Sequence, residues 1–195
     1  MASRYDTRTA LIVVDVQNDF ADPDGALSVA AGEVVVRAVN VELEAARNAN
    51  ATIAYTQDWH PPSTSHFATD GGTWPVHCVQ GTWGAPLHPD LLVAGQVVRK
   101  GSNGEDGYSG FTMRDPLTHE NASTGRDEAL RDRGIERAVV VGLALDVCVK
   151  ETALDARRLG YGCSVVRDAS APVEMEAGDG DRACAELTAA GVDVR

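Results

Sequence analysis

Four short apolar runs in this sequence each lead to residues that could take part in catalysis or bind a metal. In chain order these are Asp15, then Asp58 with His60, then Lys100, and finally Cys148. In an open parallel sheet, ligands bind in the crevice beyond the carboxyl ends of the strands. If the four runs are neighbouring strands, an acid, a metal-type cluster, a cation and a thiol converge there. This set of groups is typical of a cysteine hydrolase with a metal beside the nucleophile.

Cys148 follows a predicted strand and a short turn, at the start of a predicted helix. The unpaired N–H groups and the positive dipole end of a helix lower the pKa of a thiol from about 8.5. The same N–H groups can bind an oxyanion. The alternative is a buried cysteine that only fills space, which we expect of Cys163 and Cys184.

Asp15 and Lys100 each lie at the end of an apolar run. An acid at Asp15 could take a proton from the thiol and later protonate a departing amine. Lys100 could favour the thiolate and polarise a carbonyl group. The alternatives are an aspartate that caps a turn, which we expect of Asp19 and Asp22, and a surface lysine at a strand end.

Three of the five histidines lie with an aspartate in one irregular loop of the chain. These residues are Asp58, His60, His66 and His77. Imidazole and carboxylate suit zinc, iron or manganese, so the cluster predicts a metal site, although such residues can also simply be solvated. Cys78 is a weaker candidate ligand, and we expect the isolated His88 and His119 to lie on the surface.

Apolar runs alternate with helical patterns along the chain, which predicts βαβ units and a parallel sheet covered on both faces. The predicted strands are 10–14, 52–56, 96–99, 137–141, 164–167 and 192–194, and the predicted helices are 33–48, 127–133, 147–159 and 181–190. Two long irregular stretches, 57–95 and 101–125, are expected to be functional loops. No repeat or linker divides residues 1–195, so we expect a single domain.

Composition excludes several classes of function. A net charge of −12 should repel nucleic acid and anionic membranes, and no apolar run approaches membrane-spanning length. Four cysteines are too few for a disulfide scaffold in a chain of this size, and the first residues lack the apolar core of a secretory signal. We therefore expect a cytoplasmic protein whose partner is a small molecule. The sequence leaves the oligomeric state open and is compatible with a homo-oligomer.

Eight segments, in this order, resemble the nicotinamidase (pyrazinamidase) branch of the isochorismatase-like cysteine hydrolases. They are ALIVVDVQNDF (10–20), TQDWHP (56–61), SHF (65–67), WPVHC (74–78), QGT (80–82), RKG (99–101), YSGF (108–111) and GLALDVCV (142–149). The resemblance implies a three-layer α/β/α fold with a six-stranded parallel sheet. It also implies amide hydrolysis of nicotinamide and pyrazinamide-like compounds to the acid and ammonia through a cysteine thioester, in the salvage of NAD.

The resemblance further implies a role for each matching residue. The catalytic triad would be Asp15, Lys100 and Cys148, and the ligands of one divalent ion, with zinc the first choice, would be Asp58, His60 and His77, joined by His66. The substrate-binding residues would be Phe20, Trp74, Tyr108, Leu143 and Ala144, with a cis peptide bond between the last two. The backbone N–H groups of Ala144 and Cys148 would form the oxyanion hole.

Leu145 and Val147 depart from the family pattern, in which threonine and an aromatic residue or histidine are frequent at these positions. They could reshape the pocket, so an alternative is a related hydrolase of this family acting on another small amide, a ureido compound or a vinyl ether. Two further alternatives are a zinc hydrolase that uses metal-bound water and a non-catalytic thiol sensor or metal-binding protein. A non-catalytic thiol sensor or metal-binding protein would not explain why Asp15 and Lys100 also lie at the ends of predicted strands.

Overall fold

A computed structural model describes residues 4–195, and these form one main sheet, a small hairpin and several helices. The strands are β1 (Thr9–Val14), β2 (Thr52–Asp58), β3 (Gln96–Lys100), β4 (Thr112–Arg114), β5 (Asn121–Ser123), β6 (Arg137–Leu143), β7 (Gly162–Ala171) and β8 (Asp193–Val194). The α-helices are α1 (Asn18–Ala21), α2 (Gly32–Asn48), α3 (Arg126–Arg131), α4 (Lys150–Arg158) and α5 (Asp179–Ala189). A π-helical turn, Leu145–Val149, leads directly into α4.

The main sheet has six parallel strands in the order β3-β2-β1-β6-β7-β8. The chain therefore builds the sheet outward from β1 on one side, and then returns to the other side of β1 with β6. Crossovers of opposite direction leave a crevice at such a switch point, next to the carboxyl ends of β1 and β6. The predicted parallel α/β sheet is confirmed.

The helices cover both faces of the sheet because alternate side chains of each strand point to opposite faces. In β1, Leu11 and Val13 pack with α2, whereas Ile12 packs with the opposite layer that includes α4 and α5. Every residue of β1 is buried. The result is the three-layer α/β/α arrangement that the sequence predicts.

The structure differs from the predicted elements mainly at their ends and in the second irregular stretch. The predicted helix 147–159 starts with the π-helical turn, and the predicted strand 164–167 extends to Ala171 because β7 pairs again with β6 after a register shift. The hairpin of β4 and β5 was not predicted, since its exposed strands carry no apolar alternation. Within the described part of the chain, no helix is long and apolar enough to cross a membrane.

Candidate active site

Lys100 forms the centre of a buried polar cluster at the carboxyl end of the sheet. It lies directly opposite Asp58 in the parallel register of β3 and β2. Its Nζ is 2.6 Å from Asp15 Oδ2 and 2.6 Å from Asp58 Oδ1. The same Nζ is 3.7 Å from Cys148 Sγ. The residues that ended four separate runs in the sequence therefore meet around one amine.

The charges in this cluster are fixed by mutual contact in a site shielded from water. Burial alone would lower the pKa of Lys100, but the carboxylates of Asp15 and Asp58 raise it well above its usual value, so Lys100 is an ammonium ion. Burial alone would raise the pKa of Asp58, but the charge of Lys100 and the nearby imidazoles of His60 and His77 hold it well below its usual range. Asp58 is therefore a carboxylate.

The pKa values of Asp15 and Cys148 are both raised above their usual values. Burial raises the pKa of Asp15, and Lys100 opposes this only in part. Burial also raises the pKa of the Cys148 thiol well above its usual value, again against the effect of Lys100. Desolvation of the thiolate therefore opposes the effect that we expected from the helix N-terminus. A thiol of this kind needs a neighbouring base, and Asp15 can serve as one.

The backbone positions both members of this pair. Asp15 follows β1 with a φ of 48°, and its Oδ1 accepts a 2.7 Å hydrogen bond from Thr56 Oγ1. On the other strand, Gly142 has a φ of 115°, and a Cβ there would come within 2.1 Å of the Val14 carbonyl oxygen. Only glycine allows β6 to pass β1 this closely before the chain turns toward Cys148.

The metal-type residues lie beside this cluster. One ring nitrogen of each of His60, His66 and His77 lies within 4.8 Å of the others. Asp58 Oδ2 faces the same space, 3.4 Å from His60 Nε2 and 3.6 Å from His77 Nε2. Both ring nitrogens of His60 are buried without a hydrogen-bond partner among the described residues. Since a buried imidazole without a partner is costly, this donor set fits a divalent metal ion.

Outer contacts orient two of the imidazoles toward that space. Nδ1 of His77 lies 2.7 Å from the Pro75 carbonyl oxygen, and Nδ1 of His66 lies 2.9 Å from Asp106 Oδ1. Each contact requires a proton on Nδ1 and leaves Nε2 available as a ligand, as is common at metal sites. Burial lowers the pKa of His66 against the opposing effect of Asp106, which favours the neutral form that binds metals.

A narrow pocket adjoins Cys148, His66 and His77. Besides Asp58, His66, His77 and Cys148, its lining includes Phe20, Trp74, Tyr108, Ala144 and Val147. Trp74 Nε1 donates a 3.0 Å hydrogen bond to the Tyr108 hydroxyl, which fixes the two rings relative to each other. The pocket thus offers flat aromatic walls above a thiol.

Leu143, predicted as a substrate-binding residue, lies behind the pocket. Its side chain is buried in the core on the α2 side and is not among the residues that line the pocket. The expected cis peptide bond between Leu143 and Ala144 is present, and it is Ala144 that faces the pocket.

Several residues that support the site were missed or misread from the sequence. Gln17 is fully buried and clamps Asp58 by accepting a hydrogen bond from its N–H and donating one to its carbonyl oxygen. Asp19, predicted as a turn residue, is buried and accepts a 2.6 Å hydrogen bond from the N–H of Cys78. This contact holds the segment that carries His77. Only the polar stretch after β1 could have indicated these roles.

The remaining cysteines and histidines lie away from the cluster or serve the core. Cys78 and Cys163 are buried in the two apolar layers, and Cys184 packs against one of them. His119 is exposed, as expected. His88, which we expected on the surface, is buried, and its Nδ1 accepts a hydrogen bond from the Asp90 N–H.

Comparison with known proteins agrees with the fold and identifies the family. The isochorismatase domain family matches residues 9–195, so the chain belongs to this family. A nicotinamidase of Escherichia coli is 36% identical over an alignment covering 93% of this chain and 92% of that protein. A protein of L. infantum, solved in complex with nicotinate, has a TM-score of 0.87 and 37% identity over 97% of this chain and 92% of its own. A pyrazinamidase of Pyrococcus horikoshii, solved in complex with zinc, has a TM-score of 0.84 and 34% identity over 96% of this chain and 98% of its own.

Proposed function

We propose that this chain is an amide hydrolase that converts nicotinamide and water to nicotinate and ammonia. The observation that carries this function is the convergence of a thiol, an acid and a metal-type cluster on the single amine of Lys100. Relatives named nicotinamidase, similar over most of their length, support the same activity. The alternatives with another amide, ureido or vinyl ether substrate are not favoured.

The proposed reaction begins with proton transfer from Cys148 Sγ to the Asp15 carboxylate. The thiolate attacks the carboxamide carbon, and the developing oxyanion is stabilised by the N–H groups of Ala144 and Cys148 and by the Lys100 ammonium. Asp15 then gives its proton to the amide nitrogen as the C–N bond breaks and ammonia leaves. Water hydrolyses the resulting thioester, with Asp15 again accepting a proton, and this releases nicotinate and the free thiol.

The pocket walls provide the fit to a planar ring. We place the pyridine ring between Phe20 and Trp74, with Tyr108 completing the wall, since offset stacking on aromatic side chains is favourable. Exclusion of water by these rings strengthens the electrostatic interactions around Lys100. The carboxamide group then points toward Cys148.

We propose that Asp58, His60, His66 and His77 hold one divalent ion, with zinc the first choice for imidazole and carboxylate ligands. When bound, the ion would supply a Lewis-acidic position to which a ring nitrogen of the substrate can coordinate. The aromatic side chains of the pocket orient the ring and exclude water, and Asp15 transfers the proton. The nucleophile is the thiol and not metal-bound water.

His60→Ala is expected to reduce the metal content of the purified protein strongly, because both nitrogens of this buried ring lack any other partner. Elemental analysis after dialysis measures this directly, and the KM for nicotinamide should rise at the same time. The matched control is His119→Asn at an exposed position with a φ of 60°, which asparagine tolerates. Unchanged metal content in His60→Ala would contradict the proposed ligand set.

The substrate itself is tested by comparing nicotinamide, pyrazinamide and benzamide. All three rings have the same outline and stack equally well, but benzamide has no ring nitrogen. A site built to satisfy a polar ligand atom rejects an analogue without it by about 10⁴-fold or more. We therefore expect ammonia release from nicotinamide and pyrazinamide, and a far lower kcat/KM for benzamide, with a smaller gap after metal removal. Similar kcat/KM values for benzamide and nicotinamide would contradict this substrate assignment.

We further propose that the enzyme acts in the cytosol, in the salvage of pyridine nucleotides, on a small-molecule substrate. All four cysteines are free, which suits a reducing compartment. The strongly acidic composition argues against nucleic acid or an anionic membrane as a partner.

A further inference from the structure

A second cavity, separate from the active-site pocket, lies at the other end of β2. It has a volume of about 530 Å³ and shares no lining residue with the pocket that leads to Cys148. Its walls come from the C-terminal end of α2, the first residues of β2 and β3, and α3. This volume lies within the range of about 300–1,000 Å³ typical of sites for small molecules.

Three arginines line this cavity, and no acidic residue does. They are Arg47, Arg126 and Arg133. This is unexpected in a chain with a net charge of −12. Other arginines of the chain, such as Arg131 and Arg158, pair with carboxylates. Within residues 4–195, none of the three cavity arginines forms an ion pair, so their positive charge is left for an external partner.

Arg126 makes this more than a group of surface charges. Arg126 is only 3% exposed. Its guanidinium group donates hydrogen bonds to the backbone carbonyl oxygens of Tyr55, at 2.6 Å, and Gly110, at 3.3 Å. Burial lowers the pKa of Arg126 to about 10, and the more distant Asp15, already paired with Lys100, opposes this only in part. A buried cation held by neutral groups alone is unfavourable, and an anion beside it would offset this cost.

The rest of the lining indicates what kind of anion fits. Asn50, Gln96 and Thr124 offer amide and hydroxyl groups, whereas Ile53 and Leu130 form an apolar wall. A guanidinium group presents its donors in a fork that matches phosphate oxygens, and arginine is enriched where phosphate is recognised. An organic phosphate could place its phosphate oxygens between the arginines and its carbon skeleton against the apolar wall.

We propose that this arginine-lined cavity binds a small organic phosphate of about the size of a nucleotide. None of the residues proposed for amide hydrolysis lines this cavity, so phosphate binding would be a function in addition to that reaction. In this proposal the buried Arg126 makes the main contact with the phosphate, and the exposed Arg47 and Arg133 contact it at the edge of the cavity.

The test uses isothermal titration calorimetry of the full chain with adenosine 5′-diphosphate, pyrophosphate and adenosine. We expect the diphosphate to bind, pyrophosphate to bind more weakly because it lacks a carbon skeleton, and adenosine not to bind. Arg47→Ala and Arg133→Ala should each weaken the affinity for the diphosphate by about tenfold or more, since hydrogen bonds to charged groups are strong. Added salt should also weaken binding.

The matched control is Arg37→Ala, an exposed arginine on the same helix as Arg47 that does not line the cavity. It should leave the affinity unchanged. All three variants should keep their melting temperature and their nicotinamide hydrolysis, so this test and the test of the active site fail independently. The proposal is overturned by the absence of binding in the millimolar range, by equal binding of adenosine or pyrophosphate, or by equal affinity in the Arg47, Arg133 and Arg37 variants.

Discussion

Replacing Cys148 with alanine is expected to abolish nicotinamide turnover. Cys148 is the only cysteine whose Sγ lies next to both an acid and an ammonium ion within the described chain, 3.7 Å from Lys100 Nζ. Without a nucleophile the thioester cannot form, and in a serine protease the loss of the nucleophile lowers kcat by about 10⁶-fold. Ammonia release under saturating nicotinamide measures the effect.

Two other cysteines serve as matched controls for this result. Cys163→Ala and Cys184→Ala should keep normal turnover, because both side chains belong to the apolar layer that holds α4 and α5 and neither lines the active-site pocket. Some loss of stability is expected for Cys163→Ala, since this residue is buried. Turnover that survives in Cys148→Ala would instead favour a hydrolase that uses metal-bound water.

Asp15→Asn is expected to lower kcat by about 10²–10⁴-fold, which is the usual contribution of a general base. Asparagine keeps the size of the side chain but cannot accept the thiol proton. In the wild type, burial raises the pKa of Asp15, so kcat/KM should fall on acidification at a higher pH than for an ordinary aspartate, as Asp15 gains a proton. This acid limb should be absent from the residual activity of Asp15→Asn.

Stability must be measured together with this change. Although Asp15 and Lys100 lie at the carboxyl ends of their strands, both are 0% exposed, so substitution at either position can affect folding. Removing one partner of a buried ion pair can cost about 3–5 kcal/mol, although Lys100 keeps Asp58 as a second partner. Asp22→Asn, in the partly exposed turn after α1, is the control. A variant at Asp15 that melts early but has normal specific activity would show a purely structural role.

The fold could be predicted from the sequence because its main pattern is local. The buried strands are short apolar runs, and the helix over 32–48 has apolar residues at helical spacing. The order of strands and helices restricts the sheet to parallel strands with right-handed crossovers. The hairpin of β4 and β5 and the length of β7 could not be predicted, because tertiary pairing and not local pattern forms them.

The candidate catalytic groups could also be identified from the sequence, since each one lies at or shortly after the end of a strand, and the carboxyl ends of parallel strands meet at one edge of the sheet. Their supporting residues could not. Gln17, Asp19 and Asp106 contact residues that are 41, 59 and 40 positions away in the chain. Nothing in the local sequence distinguishes such residues from ordinary polar loop residues.

The sequence by itself determined the parallel α/β architecture, the family and the chemical types of the groups at the site. Only the tertiary structure decided their ionisation, because the pKa of Cys148 and Asp15 depends on how completely the surrounding chain excludes water. It also decided which arginines lack a carboxylate partner, and so revealed the second cavity. The charge and the burial around a group depend on residues that are distant in the chain but close in space. The sequence does not show which residues these are.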